Sequence, residues 1–301
     1  MEVISLRMPL LKNYLSLIKF AHTIFALPFA LVGFFMGVQS LKSENVDVEI
    51  GLEFYALSLL LVVLCMVFAR SAAMAFNRYL DRHFDAKNPR TVIREIPAGI
   101  LSANQVLWFT ILMSVMFMLS AWMINTICFA LSPVALIVIL GYSYTKRFTA
   151  LCHLVLGLAL SLAPTGAYLA MTGYFSTAPV ILSFAVLFWV AGFDIIYALQ
   201  DETFDKEHGL KSIPVKMGGR SALNLSRLFH LITALLLITL GWFTNRGTYF
   251  IFGEILFIGL LIYQHTLVKP NDLRRVNMAF FTTNGIASVV FGVFVIIDLL
   301  H

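Results

Sequence analysis

Charged residues are scarce in this sequence. Only 12% of its 301 residues are Asp, Glu, Lys or Arg, while 60% are hydrophobic. The mean hydropathy is accordingly high, at +0.88. A water-soluble domain of this size needs a charged exterior, because its hydrophobic core stops growing while its surface still has to face water. The composition therefore excludes a soluble helical bundle.

Cysteine is also rare, and basic residues form no concentrated patch. Cys65, Cys128 and Cys152 lie inside or beside hydrophobic runs, without the Cys-x-x-Cys spacing of metal sites. Such residues are typical of small buried side chains, so the sequence indicates neither a thiolate metal site nor disulfides. The pI is about 9.1, but Lys and Arg are dispersed between the hydrophobic runs, so the basic charge does not indicate a nucleic-acid partner, and we expect none.

What the sequence has in abundance is hydrophobic runs of about 20 residues, the length that a helix needs to cross a bilayer. We count about nine of them and expect an all-α polytopic membrane protein with a single domain over residues 1–301. The expected spans are 15–38, 52–76, 105–123, 125–144, 152–172, 178–199, 222–243, 248–267 and 277–299.

The positions of Lys and Arg predict how these spans are oriented, because the cytoplasmic connections of membrane proteins are rich in basic residues. Basic residues gather at the amino terminus and in polar segments, namely Arg7, Lys12, Lys19, 77–104, 200–221 and 268–276. The opposite connections offer only Lys42 and Arg246. We therefore expect the amino terminus and the polar segments on the cytoplasmic side, and the carboxyl terminus outside.

One polar row stands at the end of the second span. Asn77, Asp81 and Asp85 follow one another at four-residue steps. Because four residues advance an α-helix by about 400°, these side chains lie along one helix face. Neighbouring carboxylates repel one another unless a cation lies between them, and hard oxygen ligands suit Mg²⁺. Taken alone, the row fits either a magnesium site or a solvated helix end.

A second polar row follows the sixth span. It consists of Asp194, Tyr197, Asp201 and Asp205, at offsets of three, seven and eleven residues from the first. These offsets again place the side chains on one helix face. Two rows on one side of the membrane, both followed by Lys and Arg, indicate a site for Mg²⁺ and a diphosphate. Mg²⁺ takes few ligands from the protein and the others from substrate phosphates, so two short rows are sufficient.

Basic residues near the two rows are candidates for binding the diphosphate oxygens. These residues are Arg90, Lys146, Arg147, Lys206 and Lys211. Taken singly, each of them also fits a role in membrane topology or in contact with lipid headgroups. Tyr142 and Tyr144, at the end of the fourth span beside Lys146, are further candidates for contact with phosphate.

Arg70 and Asp194 lie deeper in the membrane than the other charged residues near the rows. Each lies seven residues before a ligand candidate of its row, and so about 10 Å deeper along its helix. Two interpretations stay open: the two residues pair with each other, or they form the polar floor of a site for a second substrate. His22 and His153, near helix ends, are interpreted as interfacial residues rather than catalytic ones.

The two rows are continued in a similar way. Asp81 and Asp201 are 120 residues apart, and each row is followed by basic residues and then by an Ile-Pro pair, at 96–97 and at 213–214. The similarity suggests an internal duplication, with halves around 50–150 and 170–270.

Five motifs distributed over the chain form a recognisable set. They are Leu27-Pro28-Phe29-Ala30, Arg70 to Asn77 leading into Asn-x-x-x-Asp-x-x-x-Asp, Asn88-Pro89-Arg90-Thr91, Tyr142-x-x-x-Lys146, and Asp194 to Asp201 with Asp205. Together they resemble the UbiA family of intramembrane aromatic prenyltransferases, most closely its 4-hydroxybenzoate polyprenyltransferase branch. The resemblance covers essentially the whole chain, and the two acidic rows are its most specific part.

The resemblance implies a nine-helix bundle around a central cavity open to the bilayer, in the plasma (inner) membrane. It implies transfer of a prenyl group from a polyprenyl diphosphate to a small aromatic acid in quinone biosynthesis. The implied Mg²⁺ ligands are Asn77, Asp81, Asp85, Asp201 and Asp205. The four aspartates, with Asp194, are the expected catalytic residues, and the expected substrate contacts are Arg70, Asn77, Arg90, Tyr142, Lys146, Arg147, Tyr197, Lys206 and Lys211. Arg70 is the implied partner of the acceptor's carboxylate.

Alternative functions stay open. Within the family, the acceptor can instead be a menaquinone precursor, including one of the futalosine route, or a haem. A different class of protein, the cation-coupled transporter, also places carboxylates in the membrane, but near its middle. Here the acidic residues concentrate at helix ends beside cations, which favours phosphate chemistry. Acceptor identity, prenyl length and oligomeric state are not readable from the sequence.

Overall fold

The structure is a computed structural model that describes residues 10–18, 25–43 and 51–301. The α-helices in these ranges are α1 (Leu10–Ile18), α2 (Leu27–Ser43), α3 (Leu52–Asp85), α4 (Ala103–Ile124), α5 (Thr126–Thr145), α6 (Cys152–Thr172), α7 (Thr177–Ala198), α8 (Glu202–Glu207), α9 (Ile213–Met217), α10 (Gly219–Phe243), α11 (Thr248–Leu267) and α12 (Asn284–Leu300). A 3₁₀ turn, Leu199–Asp201, joins α7 to α8, and a π-helical turn, Met278–Thr283, precedes α12.

Eight of the nine expected membrane spans are confirmed in the part of the chain that the structure describes. Eight helical segments of the described chain are long and apolar enough to cross a bilayer: Leu52–Asp85, Ala103–Ile124, Thr126–Thr145, Cys152–Thr172, Thr177–Glu207, Gly219–Phe243, Thr248–Leu267 and Met278–Leu300. The shorter apolar helix α2 adds a ninth hydrophobic element. The protein is therefore an all-α integral membrane protein.

The first span differs from the expected range 15–38. Helix α1 ends at Ile18, and α2 begins only at Leu27. Pro28 thus lies in the first turn of α2, where its missing N–H is not needed for a helical hydrogen bond. Some residues named in the sequence analysis lie outside the described residues, namely Arg7, the side chain of Lys12, Lys19 and His22.

The outer faces of the bundle carry large exposed hydrophobic side chains. Trp108 and Trp122, near opposite ends of α4, are 70% and 64% exposed, and Trp242 at the end of α10 is 80% exposed. In water these surfaces would be unfavourable, whereas tryptophan is enriched where a helix crosses the two membrane interfaces. The exposed faces therefore fit contact with lipid.

The core of the bundle is aromatic and its helices approach closely. The Trp189 ring on α7 lies 5.1 Å from the Phe29 ring on α2 and 5.6 Å from the Phe257 ring on α11, between ring centroids. A Cβ atom at Gly33 would lie 2.1 Å from the Pro164 carbonyl oxygen, so α2 and α6 touch backbone to backbone. Small residues allow this contact between membrane helices.

The π-helical turn before α12 is held by buried amide side chains. A π-turn leaves carbonyl groups outside the regular helical pattern. The Ala279 carbonyl accepts hydrogen bonds from Gln264 Nε2 at 2.8 Å and from Asn284 Nδ2 at 3.1 Å. Asn284 Oδ1 in turn accepts from Trp189 Nε1 at 3.0 Å. The turn is therefore fixed to both α11 and α7.

We expect Asn284→Ala to lower the free energy of unfolding by about 2–4 kcal/mol, because it leaves a buried indole N–H and carbonyl groups without partners. Thermal unfolding in detergent measures the change. Thr282→Ala, an exposed position on the same turn, is the matched control and should lie within about 0.5 kcal/mol of the wild type. A shift of the same size for both variants would contradict this role of Asn284.

The fold gathers several helix ends around one region. Helix α3 ends at Asp85, α5 ends at Thr145, α6 begins at Cys152 and α7 ends at Ala198. The segment 86–102 folds back over this region. Two contacts of Glu95 hold that segment in place: Arg78 Nε lies 3.9 Å from Glu95 Oε2, and Ser16 of α1 donates a hydrogen bond to Glu95 Oε1 at 2.7 Å.

Candidate active site

A polar cavity of about 300 Å³ lies among these helix ends. The predicted site residues that line it are Arg70, Asn77, Asp81, Asp85, Arg90, Tyr142, Lys146, Arg147, Asp194, Tyr197, Asp201 and Asp205. The structure thus brings both acidic rows to one cavity, together with most of the predicted basic residues.

The first row lies on one continuous helix, as its spacing predicts, and its carboxylates are paired with arginines. Asp81 accepts a hydrogen bond from Asn77 Nδ2 at 3.0 Å and forms an ion pair with Arg147 at 2.9 Å. Asp85 forms an ion pair with Arg94 at 2.6 Å. Arg147 comes from the connection after α5 and Arg94 from the segment 86–102, so separate parts of the chain compensate the charge of this row.

The second row does not lie on one continuous α-helix, which corrects the sequence-based expectation. Asp194 and Tyr197 are on α7, Asp201 is in the 3₁₀ turn and Asp205 is on α8. Such turns are frequent at helix ends and change the rotation per residue, which a spacing rule for α-helices cannot anticipate. All four side chains nevertheless line the same cavity.

The carboxylates of the second row are also paired with cations. The Arg90 guanidinium donates hydrogen bonds to both carboxylate oxygens of Asp201 and, from a third nitrogen, to the Tyr197 hydroxyl at 2.8 Å. Lys146 Nζ lies 2.8 Å from Asp205 Oδ1. Four of the five row carboxylates that line the cavity therefore lie beside an arginine or a lysine of their own.

The cations beside the second row keep their charge. Burial alone would lower the pKa of Lys146, but the Asp205 carboxylate outweighs burial, and the pKa lies above its ordinary value. The pKa of Arg90 is likewise raised, because Asp201 and Tyr197 outweigh the effect of burial. Both side chains therefore remain able to bind an anion at neutral pH.

The donor set fits Mg²⁺ only if a substrate completes it. No three carboxylates, histidines or cysteines of the described chain lie close enough together to hold a metal ion by themselves. However, the buried Oδ2 atoms of Asp85 and Asp205 have no hydrogen-bond partner among the described residues. Oxygen donors with free lone pairs suit Mg²⁺, which takes its other ligands from water and substrate phosphates.

Arg70 and Asp194 do not pair with each other, so the first of the two interpretations is wrong. Asp194 Oδ2 lies 2.6 Å from His153 Nδ1. The His153 ring is 3% exposed and its Nε2 accepts a hydrogen bond from the Ile213 N–H at 3.3 Å. The interpretation of His153 as an interfacial residue is therefore also wrong. Arg70 Nε is buried without a hydrogen-bond partner among the described residues.

A second, apolar cavity of about 410 Å³ adjoins the polar one. It is bordered by α3, α4, α5 and α6, and its lining contains far more aliphatic and small side chains than phenylalanines. The two cavities share the lining residues Arg70, Met74, Tyr142, Leu156 and Leu160. A ligand with a charged head and a long apolar tail can therefore occupy both at once.

Two of the predicted diphosphate contacts do not line the polar cavity. Lys206 and Lys211 are both exposed. The Lys211 ammonium donates a hydrogen bond to the Phe148 carbonyl at 3.2 Å. Lys206 directly follows Asp205 on α8, and adjacent residues of a helix point about 100° apart. Both residues fit the alternative role in topology or in contact with lipid headgroups.

The structure adds residues to which the sequence analysis assigned no role in the site. Asn88 donates a hydrogen bond to Asp201 at 3.4 Å, Arg94 pairs with Asp85, and His153 holds Asp194. Phe280 and Phe281 reach the polar cavity from the π-helical turn, and the Phe280 ring stacks on Tyr197 with its centroid 4.1 Å away. Arg94 was visible only as one more basic residue of a loop, and no sequence signal marked the two phenylalanines.

Comparison with known proteins gives consistent matches over most of the chain. The family model described as UbiA prenyltransferase family matches residues 26–286. A 4-hydroxybenzoate octaprenyltransferase of Tolumonas auensis is 34% identical over 236 residues, which are 78% of this chain and 82% of that protein. A 4-hydroxybenzoate octaprenyltransferase of Vibrio cholerae is 32% identical, over 77% of this chain and 81% of that protein.

Solved structures share the fold. A UbiA homologue from Aeropyrum pernix K1 superposes with a TM-score of 0.79 at 31% identity, covering 92% of this chain and 98% of that one. A UbiA homologue from Archaeoglobus fulgidus, bound to DMAPP and Mg²⁺, has a TM-score of 0.75 at 22% identity, covering 96% of this chain and 99% of that one. The similarity thus extends over almost the whole described bundle.

Proposed function

The chain belongs to the UbiA prenyltransferase family, and from this premise we propose that it transfers a polyprenyl group from a prenyl diphosphate to 4-hydroxybenzoate in quinone biosynthesis. The observation that carries the proposal is the pair of adjoining cavities, one lined by four carboxylate–cation pairs and the other apolar. The relatives named 4-hydroxybenzoate octaprenyltransferase support this choice of acceptor.

The proposal assigns Mg²⁺ to the polar cavity. Its ligands would be Asn77, Asp81, Asp85, Asp201 and Asp205, an oxygen-only donor set with unpartnered carboxylate oxygens. When bound, the ion supplies Lewis-acid stabilisation of the negative charge that grows on the departing diphosphate. The Archaeoglobus fulgidus homologue, which shares the fold, binds the same ion together with DMAPP.

The basic residues of the cavity bind the diphosphate oxygens in this proposal. Arg90, Arg94, Lys146 and Arg147 each face a carboxylate of one of the rows. Preorganised cations stabilise a developing negative charge without reorganising during the reaction. The row carboxylates compensate the charge of these cations as long as no diphosphate is bound.

The apolar cavity receives the prenyl tail and keeps water away from the reacting carbon. As the donor C–O bond breaks, its electron pair leaves with the diphosphate and the prenyl carbon becomes electrophilic. Water in contact with that carbon would capture it, so the site has to exclude water. The Phe280, Phe281 and Tyr197 rings line the polar cavity and add apolar surface that would help to keep water out.

Arg70 is the proposed partner of the acceptor's carboxylate. Its Nε is buried without a partner at the junction of the two cavities. A buried cation without a counter-ion is unfavourable, and an aromatic acid supplies the missing charge. The acceptor would thus be held beside the end of the prenyl tail that reacts.

We expect Arg70→Ala to raise the acceptor KM about 10- to 100-fold, because a charge-assisted hydrogen bond contributes about 1.5–3 kcal/mol. The donor KM should stay within about twofold, since Arg70 is not among the cations paired with the acidic rows. Steady-state kinetics with each substrate varied in turn measures both, and Arg70→Lys, which keeps the charge, is the control. A change confined to the donor KM would show that Arg70 does not bind the acceptor.

The reaction itself is tested with purified protein, Mg²⁺, prenyl diphosphates of several lengths and a panel of aromatic acids, with products identified by mass spectrometry. A prenylated 4-hydroxybenzoate supports the proposal. If a different aromatic acid is prenylated instead, the proposed acceptor is wrong, but the proposed prenyl transfer stands. Cation flux into proteoliposomes without any prenylated product would instead favour the transporter. The paired carboxylates at helix ends, away from the middle of the spans, argue against that alternative.

The proposed orientation places the polar cavity on the cytoplasmic face of the inner membrane, with the amino terminus cytoplasmic and the carboxyl terminus outside. The distribution of Lys and Arg supports it. Labelling of a single cysteine introduced at His301, in cells with intact inner membranes, tests it. A membrane-impermeant reagent should react with that cysteine from outside.

A further inference from the structure

We propose that His153 is a positioning residue that fixes Asp194 as the hydrogen-bond acceptor for the hydroxyl group of the aromatic substrate. The inference rests on the proposed function. His153 lies in the first turn of α6, where its ring is 3% exposed, and Nδ1 lies 2.6 Å from Asp194 Oδ2 on α7. A contact this short between a buried imidazole and a partly buried carboxylate restrains both side chains.

The hydrogen bonds of His153 define which nitrogen carries the proton. The Ile213 N–H points at Nε2 from 3.3 Å, so Nε2 is the acceptor and holds a lone pair. The proton is then on Nδ1, which donates it to the Asp194 carboxylate. With both nitrogens engaged, the neutral imidazole has no free lone pair for a substrate proton, so it acts through Asp194 and not as a base.

Asp194 keeps one oxygen for the substrate. Its Oδ2 is bound to His153, while Oδ1 makes no hydrogen bond with the described residues. The side chain is 21% exposed and lines the polar cavity. The bond to Oδ2 restrains rotation of the carboxylate, so that Oδ1 stays available to accept a hydroxyl hydrogen bond.

This arrangement activates the ring. As the ring carbon forms its bond to the prenyl carbon, positive charge spreads onto the hydroxyl oxygen, and the hydroxyl proton passes to Asp194 Oδ1. The ring carbon then loses its proton to the released diphosphate. Asp194 returns the first proton to the oxygen as the ring regains aromaticity, so Asp194 ends as it began.

Two substitutions separate this role from a purely structural one. His153→Leu and His153→Asn both remove the acceptor of the Ile213 N–H. Only asparagine retains a nitrogen donor one bond beyond Cγ, where histidine has Nδ1, so only it can still bind Asp194. A difference between the two variants therefore reports the bond to Asp194.

The experiment has two parts. The first compares the binding of 4-hydroxybenzoate with that of 4-methoxybenzoate, which lacks the hydroxyl proton, in the presence of an unreactive thio-diphosphate analogue of the donor. The second measures the turnover of 4-hydroxybenzoate with the natural donor. We expect His153→Leu to lower kcat about 10- to 100-fold and to abolish the preference for the hydroxylated acid, because a hydrogen bond to a charged group is lost. The donor KM should stay within about twofold, and His153→Asn should keep turnover within about threefold of the wild type.

Equal losses in the two variants, with the preference for the hydroxylated acid intact, would overturn the role of His153 and leave it a structural residue. If His153→Leu turns over 4-hydroxybenzoate as fast as the wild-type protein, the proposed role of His153 is overturned as well. A wild-type protein that prenylates no hydroxylated aromatic acid would overturn the proposed function and this inference together.

Discussion

Asparagine in place of Asp81 or of Asp201 should lower kcat about 10³-fold. A bound divalent ion stabilises the negative charge that develops in the transition state by several kcal/mol, and about 1.4 kcal/mol corresponds to a tenfold change in rate. The amide is nearly isosteric, so the helices should stay folded. The two residues belong to different rows and lie on different helical elements. Similar losses for both therefore indicate that the rows act on one bound ion and diphosphate.

The control for these variants is Asp272→Asn. Asp272 lies in the connection after α11 and pairs with Arg274 on the surface, away from the cavity residues. Its substitution should leave kcat within about twofold, as for most surface changes. If Asp81→Asn turns over almost normally while Asp201→Asn is inactive, the first row does not take part in binding the ion and the diphosphate.

Phenylalanine at Gly166 should reduce kcat/KM for a long polyprenyl diphosphate about 100-fold while leaving dimethylallyl diphosphate within about threefold. Gly166 lies on α6, lines the apolar cavity, and has no atom within 4 Å of the position where a Cβ would stand. A new ring therefore enters the cavity without disturbing the backbone. Each displaced methylene forfeits about 0.8 kcal/mol of apolar burial, so four of them account for a loss of this size.

The same substitution at Gly259 is the matched control. Gly259 also lies within a helix and has open space around its missing Cβ, but it does not line either cavity. Gly259→Phe should therefore leave both donors unaffected. If Gly166→Phe slows short and long donors equally, the apolar cavity does not hold the tail.

Much of the bundle was predictable because the bilayer restricts what a chain can do. Hydrophobic runs of the right length identify the membrane helices, and 152–172 and 248–267 coincide with α6 and α11. The first acidic row was predictable for a similar reason, since α3 continues without interruption through Asp85 and preserves the four-residue spacing. The spacing of residues predicts which side chains share a helix face as long as the helix is not interrupted between them.

The ion pairs of the cavity could not be read from the sequence. Arg147 and Asp81 are 66 residues apart, and Arg90 and Asp201 are 111 apart. No periodicity relates such positions, because their proximity results from packing of α3, α5 and α7. The break between α7 and α8 also escaped prediction, although Asp201 and its neighbours still reach the cavity.

His153 shows the same limit more sharply. A single histidine near a helix end has many ordinary roles, and only the fold places it against Asp194 and the Ile213 N–H. Lys206 and Lys211 are the converse, since nearness in sequence to Asp205 did not bring them to the cavity. The internal duplication of 50–150 and 170–270, the membrane orientation and the individual Mg²⁺ ligands stay predictions.

Binding of inorganic pyrophosphate, measured by isothermal titration calorimetry with and without Mg²⁺, tests most directly whether the two acidic rows share one ion and one diphosphate. If they do, wild-type protein binds pyrophosphate only when Mg²⁺ is present, and Asp81→Asn and Asp201→Asn each weaken that binding about 100-fold or more. Undiminished binding in the presence of a chelator, or in either variant, would contradict the shared site.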